Sequence, residues 1–211
     1  MTNEFITCSV EGNIASGKTS LLKLLSKNIS CEIFEEPVES WKNVAEINLF
    51  EELNKNPKKN AFQFQMLILN DMLKTHAIRP NTRFKFMERS IHSSKIFIEH
   101  LKCNNNISKS EIEIHNRWLE TCTNIPVFNT KLDYIFYLKT DPAVAYKRLV
   151  KRNRNEEKSM TFLNIKTLHE IYETKIMDLT SKNTKLIILD GEKPTSELYK
   201  LLSDWIKHVQ T

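Results

Sequence analysis

The sequence predicts an α/β fold with a single parallel sheet and helices on both faces. Three observations carry this. Five short runs rich in β-branched and aromatic residues alternate with longer stretches of helical periodicity. A turn bounded by Gly12 and Gly17 stands between the first such run and the first helical stretch. No repeat or low-complexity linker interrupts the 211 residues, so one domain spanning 1–211 is expected.

Taken in order, residues 4–10 read as a buried strand and residues 17–27 as a helix, with Leu21, Leu22, Leu24 and Leu25 on one side. A short second strand over 31–35 is ended by Pro37. Residues 39–55 read as a helix closed by Pro57, and 61–76 as a second, strongly periodic one. A third strand covers 84–87, followed by a helix from about Ser90 to Lys102. The polar run Asn104 to Ser110 reads as a loop and 111–124 as a helix. The fourth strand, 133–139, leads to a basic helix over 142–153 and another over 161–181. The fifth strand, 185–190, turns at Gly191, and the last helix runs from about Thr195 to Val209.

Composition excludes several classes. The chain is 40% hydrophobic and 27% charged, ordinary for a globular domain. Its longest apolar runs, such as Tyr134 to Leu138, are far too short to cross a membrane, so no membrane partner is expected. The formal charge of +5 is dispersed along the chain, which argues against a nucleic-acid partner and suits small polyphosphates. Cys8, Cys31, Cys103 and Cys122 have no metal-ligand spacing, so neither a zinc site nor a disulfide framework is expected. The strand begins by Phe5 with no leader before it, so the expectation is a cytoplasmic protein, with a removed mitochondrial presequence left open.

The strongest chemical signal is Gly12-Asn13-Ile14-Ala15-Ser16-Gly17-Lys18-Thr19, which fits G-x-x-x-x-G-K-[ST] in the strand-to-helix context that the motif needs. Backbone N–H groups of such a P-loop surround phosphate oxygens at a helix N-terminus. Lys18 would neutralise phosphate charge and Thr19 would ligate Mg²⁺. Ligands in open α/β sheets bind beyond the carboxyl ends of the strands. Those ends carry Glu35-Glu36-Pro37, Glu88-Arg89-Ser90 and Lys139-Thr140-Asp141, so acids and an arginine gather where phosphates would sit.

Further pieces make the pattern specific: EGNIASGKTSL (11–21), EEPVESW (35–41), FQFQ with downstream Met72 (62–72), MERSIHSS (87–94) and YLKTDPAVAYKRLVKRNRNEE (137–157). In order and spacing over about 1–175, the chain resembles the deoxynucleoside kinase family. The resemblance implies a P-loop kinase fold with strand order 2-3-1-4-5, ATP and Mg²⁺ as cofactors, and a homodimer. It implies transfer of phosphate to the 5′-hydroxyl of a deoxynucleoside, in nucleotide salvage. Glu36 resembles the carboxylate that takes the proton of that hydroxyl, a group that the chemistry requires. Arg89 resembles the arginine beside the transferring phosphate, and Glu88 the acid that holds Mg²⁺. Arg148, Arg152 and Arg154 fall on the family's lid arginines (lid about 148–160), and Glu157 on its sugar-contacting acid. As a bare pattern the arginines read as a solvated basic helix.

Gln65, Ile68 and Met72 share one helical face. By resemblance Gln65 pairs with the base edge, Trp41 walls the base, and uncharged Met72 and Ser94 leave room for the methyl of thymine. That implies a preference for thymidine and other pyrimidines. The sequence departs from the family at Asn54, where many members have a sugar-contacting tyrosine. It departs again at Lys95-Ile96-Phe97-Ile98, where either Phe97 or Ile98 faces the base. His92 reads equally as lining or as a helix-interface residue. Three competing readings are a thymidylate-type monophosphate kinase, a non-catalytic subunit of a larger complex, and a nucleic-acid-binding module. The paired EPVESW and ERS motifs, the retained Lys18, Glu36 and Arg89, and the dispersed charge argue against them in turn.

Overall fold

In the computed structural model, which describes residues 5–210, strands β1 (Ile6–Gly12), β2 (Glu32–Phe34), β3 (Phe84–Glu88), β4 (Tyr134–Lys139) and β5 (Lys185–Asp190) pair in parallel in the order β2-β3-β1-β4-β5. The expected start of the first strand, residue 4, lies outside the described residues. β1 is central, with Val10 level with Glu88 of β3 and with Phe136 of β4. This register brings the C-terminal ends of β1 and β3 side by side.

Side chains alternate across the sheet, as a strand buried on both faces requires. Phe136 and Leu138 of β4 pack with Val10, Phe84 and Phe86 on one face. Against them lie Leu21, Leu22 and Leu25 of α1 (Lys18–Asn28) and Leu198, Leu202 and Ile206 of α9 (Thr195–Gln210). Ile135 and Tyr137 of β4 face the other way. They meet Ile96 of α5 (Ser94–Cys103) and Leu168, Ile171 and Tyr172 of α8 (Phe162–Lys175). Each fully buried leucine or isoleucine contributes about 1.5–3 kcal/mol of transfer free energy.

Several boundaries differ from expectation. The helix expected over 39–55 is two, α2 (Val38–Trp41) and α3 (Leu49–Lys55). Between them Ala45 and Glu46 adopt φ of 49° and 67°, and Val44 bridges to Ile47. Asn48 restarts the helix by accepting from the Glu51 N–H, a cap present in the sequence as N-x-x-E. Pro57 opens α4 (Pro57–Ala77) where it was expected only to close the preceding helix, because proline suits a first turn as well as an end. Five residues of the expected 104–110 loop behave as anticipated, but α6 (Lys109–Asn124) begins inside its end. Ser108 and Glu111 form a reciprocal capping box there. The helix expected from Ser90 opens as a 3₁₀ turn over Ile91–Ser93 before α5. The helix expected to reach 181 tightens after Lys175 into a 3₁₀ turn, Ile176–Leu179. The basic helix is α7 (Pro142–Arg152). Among the described residues no helix is long and apolar enough to cross a membrane.

Candidate active site

A cavity of about 1250 Å³ opens over the C-terminal edge of the sheet. It runs from the loop after β1, past the ends of β2 and β3, to α4, α5 and the segment after α7. Ile14, Ala15, Ser16, Gly17, Lys18 and Thr19 line one end. Trp41, Gln65, Ile68, Met72, Ser94 and Phe97 line the other, with Glu36, Glu88 and Arg89 between. Arg148, Arg152, Arg154 and Glu157 border it from α7 and the segment that follows.

The P-loop backbone explains its residues. Gly12 has φ of 147°, and a Cβ there would stand 2.8 Å from both the Leu138 carbonyl and Ser16 Oγ. Ala15 holds φ of 58°, a left-handed conformation that costs a non-glycine residue roughly 1–2 kcal/mol. The alanine at this position is therefore tolerated under strain. Asn13 does not line the cavity. Its amide nitrogen donates to the Ile165 carbonyl (2.9 Å) and its side-chain oxygen accepts from the Ile14 N–H, tying the loop to α8. Lys18 is buried, its Nζ donating to the Asn13 and Gly12 carbonyls at 2.9 and 3.3 Å. Burial, with Arg89 nearby, pulls its pKa down to about 8. A buried amine resting on two neutral carbonyls is poised to meet an anion. Thr19 Oγ1 lies 2.8 and 2.9 Å from the two carboxylate oxygens of Glu88. A hydroxyl and a carboxylate in contact make an all-oxygen donor set that fits Mg²⁺.

Glu36, just beyond β2, faces Arg89, with Oε1 2.9 Å from Nε in an ionic contact. Burial raises the Glu36 carboxyl above its ordinary range, with Arg89 opposing. Arg89 sits at φ of 63°, its guanidinium 4.7 Å from the Phe97 ring centroid. Its Nη1 donates to the Gly12 carbonyl (2.9 Å) and to the Tyr172 hydroxyl. Burial works against its charge, but Tyr172, Glu36, Glu11 and Glu88 raise its pKa on balance. Tyr172 and Glu11 were not singled out in the sequence. Glu11 offered a faint signal, a carboxylate inside an otherwise apolar central strand. Tyr172 offered none, because it lies 161 residues away from Glu11.

On the far wall, Trp41 Nε1 donates to Asp71 (3.1 Å), and its ring meets Phe64 edge-on at 5.5 Å. Gln65 is buried, and its Oε1 has no hydrogen-bond partner among the described residues. Phe97 lines the cavity, whereas Ile98 is buried away from it. His92 lies outside the lining, bonded to the Thr130 carbonyl at 2.8 Å and packed edge-on against His76, so the helix-interface reading of it holds. Asn54 lines the cavity but spends its amide nitrogen on the Phe50 carbonyl at 2.9 Å.

The three arginines over residues 148–154 differ from one another. Arg148 is clamped to the loop, donating from Nη1 to the Ser16 and Gly191 carbonyls at 3.1 and 2.8 Å. Arg152 and Arg154 converge on buried Glu157, at 2.7 and 3.2 Å. These ion pairs give the end of α7 a specific partner, which argues against the solvated-helix reading. Neighbouring Glu156 turns to Asn48 (3.3 Å) and Lys42 (3.6 Å), joining the segment after α7 to the α2–α3 connection.

This geometry defines a P-loop phosphate-binding protein with a second, apolar compartment beside the loop. A family model described as deoxynucleoside kinase matches residues 8–210, and the chain belongs to that family. Mitochondrial thymidine kinase 2 of Homo sapiens is 32% identical over 165 residues, 78% of this chain and 62% of that protein. The chain thus spans less than two thirds of the length of that relative. The probable deoxycytidine kinase FPV151 of Fowlpox virus (strain NVSL) is 32% identical over 185 residues, 86% of this chain and 76% of that one. A solved structure of deoxyadenosine kinase from M. mycoides, with dCMP and dCDP bound, has a TM-score of 0.80 at 22% identity. It covers 97% of this chain and 100% of that one, and shows the P-loop kinase fold.

Proposed function

We propose that the protein transfers the γ-phosphoryl group of ATP to the 5′-hydroxyl of a deoxynucleoside, with pyrimidines, thymidine first, preferred. The carrying observation is that Glu36 and Arg89 stand as an ion pair in the same cavity as Lys18 and the P-loop. Family membership supports the reaction class. The named activities of the thymidine and deoxycytidine kinase relatives support pyrimidine substrates.

In this reading Glu36 accepts the proton of the 5′-hydroxyl as its oxygen attacks phosphorus. A carboxylate with a raised pKa is a stronger base than an ordinary one, and Arg89 beside it keeps it oriented. Lys18, freed from two neutral carbonyls, binds phosphoryl oxygens together with the loop N–H groups of residues 14–19. Thr19 and Glu88 would hold Mg²⁺, which when bound draws together and neutralises the phosphoryl oxygens. Arg152 and Arg154 exchange Glu157 for charge developing on the transferred group, and Glu157 is then free for the sugar 3′-hydroxyl. Gln65, buried with an unused acceptor, pairs with the pyrimidine edge, while Trp41, Ile68, Met72, Ser94 and Phe97 enclose the ring.

The test is phosphate transfer from ATP to thymidine, deoxycytidine, deoxyadenosine, deoxyguanosine and thymidylate. Transfer to nucleosides with thymidine ahead is expected. Transfer to thymidylate alone would replace this reading with a monophosphate kinase. The same proposal places residues 148–160 as a lid on one domain, and the product in nucleotide salvage. It also includes a homodimer and a cytoplasmic location. Exposed Ile114 and Trp118, one turn apart on α6, support the dimer, and four unpaired cysteines support a reducing compartment.

A further inference from the structure

Glu11 and Tyr172 are fully buried polar groups for which the mechanism above has no use. Their contacts form one directed chain. An arginine only donates hydrogen bonds and a carboxylate only accepts them. The Tyr172 hydroxyl between them must therefore accept from Arg89 Nη1 and donate to Glu11 Oε2, which is 3.4 Å away. Glu11 Oε1 accepts from Ser9 and Ser93, both at 2.6 Å, and from Ser90 at 3.4 Å. Ser93 Oγ in turn accepts from the Ser90 N–H at 2.9 Å.

Glu11 thus reaches Arg89 by two arms. One runs through Tyr172 to the guanidinium. The other runs through Ser90 and Ser93 to the turn that follows Arg89, whose own backbone is held at φ of 63°. With both Nη1 protons committed to Gly12 and Tyr172, the donors left for Glu36 and for a substrate are Nε and Nη2.

We propose that Tyr172 and Glu11 are positioning residues that hold the Arg89 guanidinium in the single orientation used for phosphoryl transfer. This rests on the kinase reading for its effect on turnover. The orientation itself does not depend on it. Tyr172→Phe removes one oxygen from a ring that stays stacked on Tyr137 at 5.6 Å, so the fold has little reason to change. Glu11→Gln is the second variant, should the first not fold.

The experiment has two readouts. In steady-state and binding assays, Tyr172→Phe is expected to lower kcat roughly 10- to 100-fold, the scale of a displaced reacting group. Dissociation constants for thymidine and ATP should stay within about twofold. In an Arg89→Lys background the same change should have little further effect, because both act through one group. Unchanged kcat, or full additivity with Arg89→Lys, overturns the proposal. The second readout is arginine side-chain NMR of the protein without substrates. The Arg89 Nη resonances should be resolved by hindered rotation in the wild type and averaged in Tyr172→Phe. Identical spectra overturn the proposal even if the wild type phosphorylates no nucleoside. That last result would sink the kinase reading separately.

Discussion

Glu36 and Lys18 are shifted in opposite directions by one cause, burial. In the proposed reaction Glu36 must be ionised to accept a proton, and its pKa is raised, so the acid limb of kcat/KM should lie above the ordinary carboxylate value of 4.5. Lys18 must be charged, and its pKa is lowered to about 8, so activity should fall as pH rises through that value. A pH–rate profile checks both limbs. Glu36→Gln should bind thymidine normally and lose roughly 10²–10⁴ in kcat. Equal kcat in variant and wild type would reduce Glu36 to an acid at a helix start. Gln65→Leu separates stability from function. Its unpartnered buried oxygen contributes nothing to the fold, so melting should be unchanged or improved, while kcat/KM for thymidine drops. A variant that loses stability but keeps pyrimidine use would contradict the assignment.

At the scale of elements, two connections differ in kind. The end of α4 is joined to the turn after β3 by His76, which accepts from the Ile91 N–H at 3.3 Å and is almost wholly buried. Burial, with His92 and Lys85 nearby, pulls its pKa from 6.5 down to about 3. The unfolded chain therefore binds the proton first. The contribution of His76 is complete above about pH 6.5 and is lost as pH falls toward 3. Between pH 7 and 5 the loss should be on the order of 2 kcal/mol, measured by denaturant melts of wild type against His76→Gln. A pH dependence identical in both would refute this. The segment proposed as a lid, by contrast, is held by ion pairs that phosphate would compete for. Replacing Arg152 and Arg154 together by alanine should abolish most turnover and lower the melting temperature, because buried Glu157 loses both cations. Normal turnover in that double variant would return the segment to a solvated helix.

For the whole molecule, the α6 surface with Ile114 and Trp118 gives a concentration-dependent expectation. Light scattering should report a dimer, and Trp118→Glu should shift it toward monomer while activity per chain persists. A wild-type monomer at all concentrations would remove the homodimer from the proposal. The sheet order was implied only by the family resemblance, whereas sequence alone determined the number of strands and their succession along the chain, the P-loop and the motifs at the strand ends. Those features are local, since strand and helix periods, a glycine turn and a cap are written in neighbouring residues. Even the overlooked restart at Asn48 and the box at Ser108 were written locally, as N-x-x-E and S-x-x-E. Only the tertiary structure decided that Phe97 and not Ile98 enters the cavity, since one residue on a helix is a turn of about 100° that packing must choose. It alone showed Arg148 clamped to the loop while Arg152 and Arg154 face Glu157. It alone joined Glu11 to Tyr172, because a hydrogen bond across 161 residues depends on how α8 packs against β1, and no local pattern encodes that.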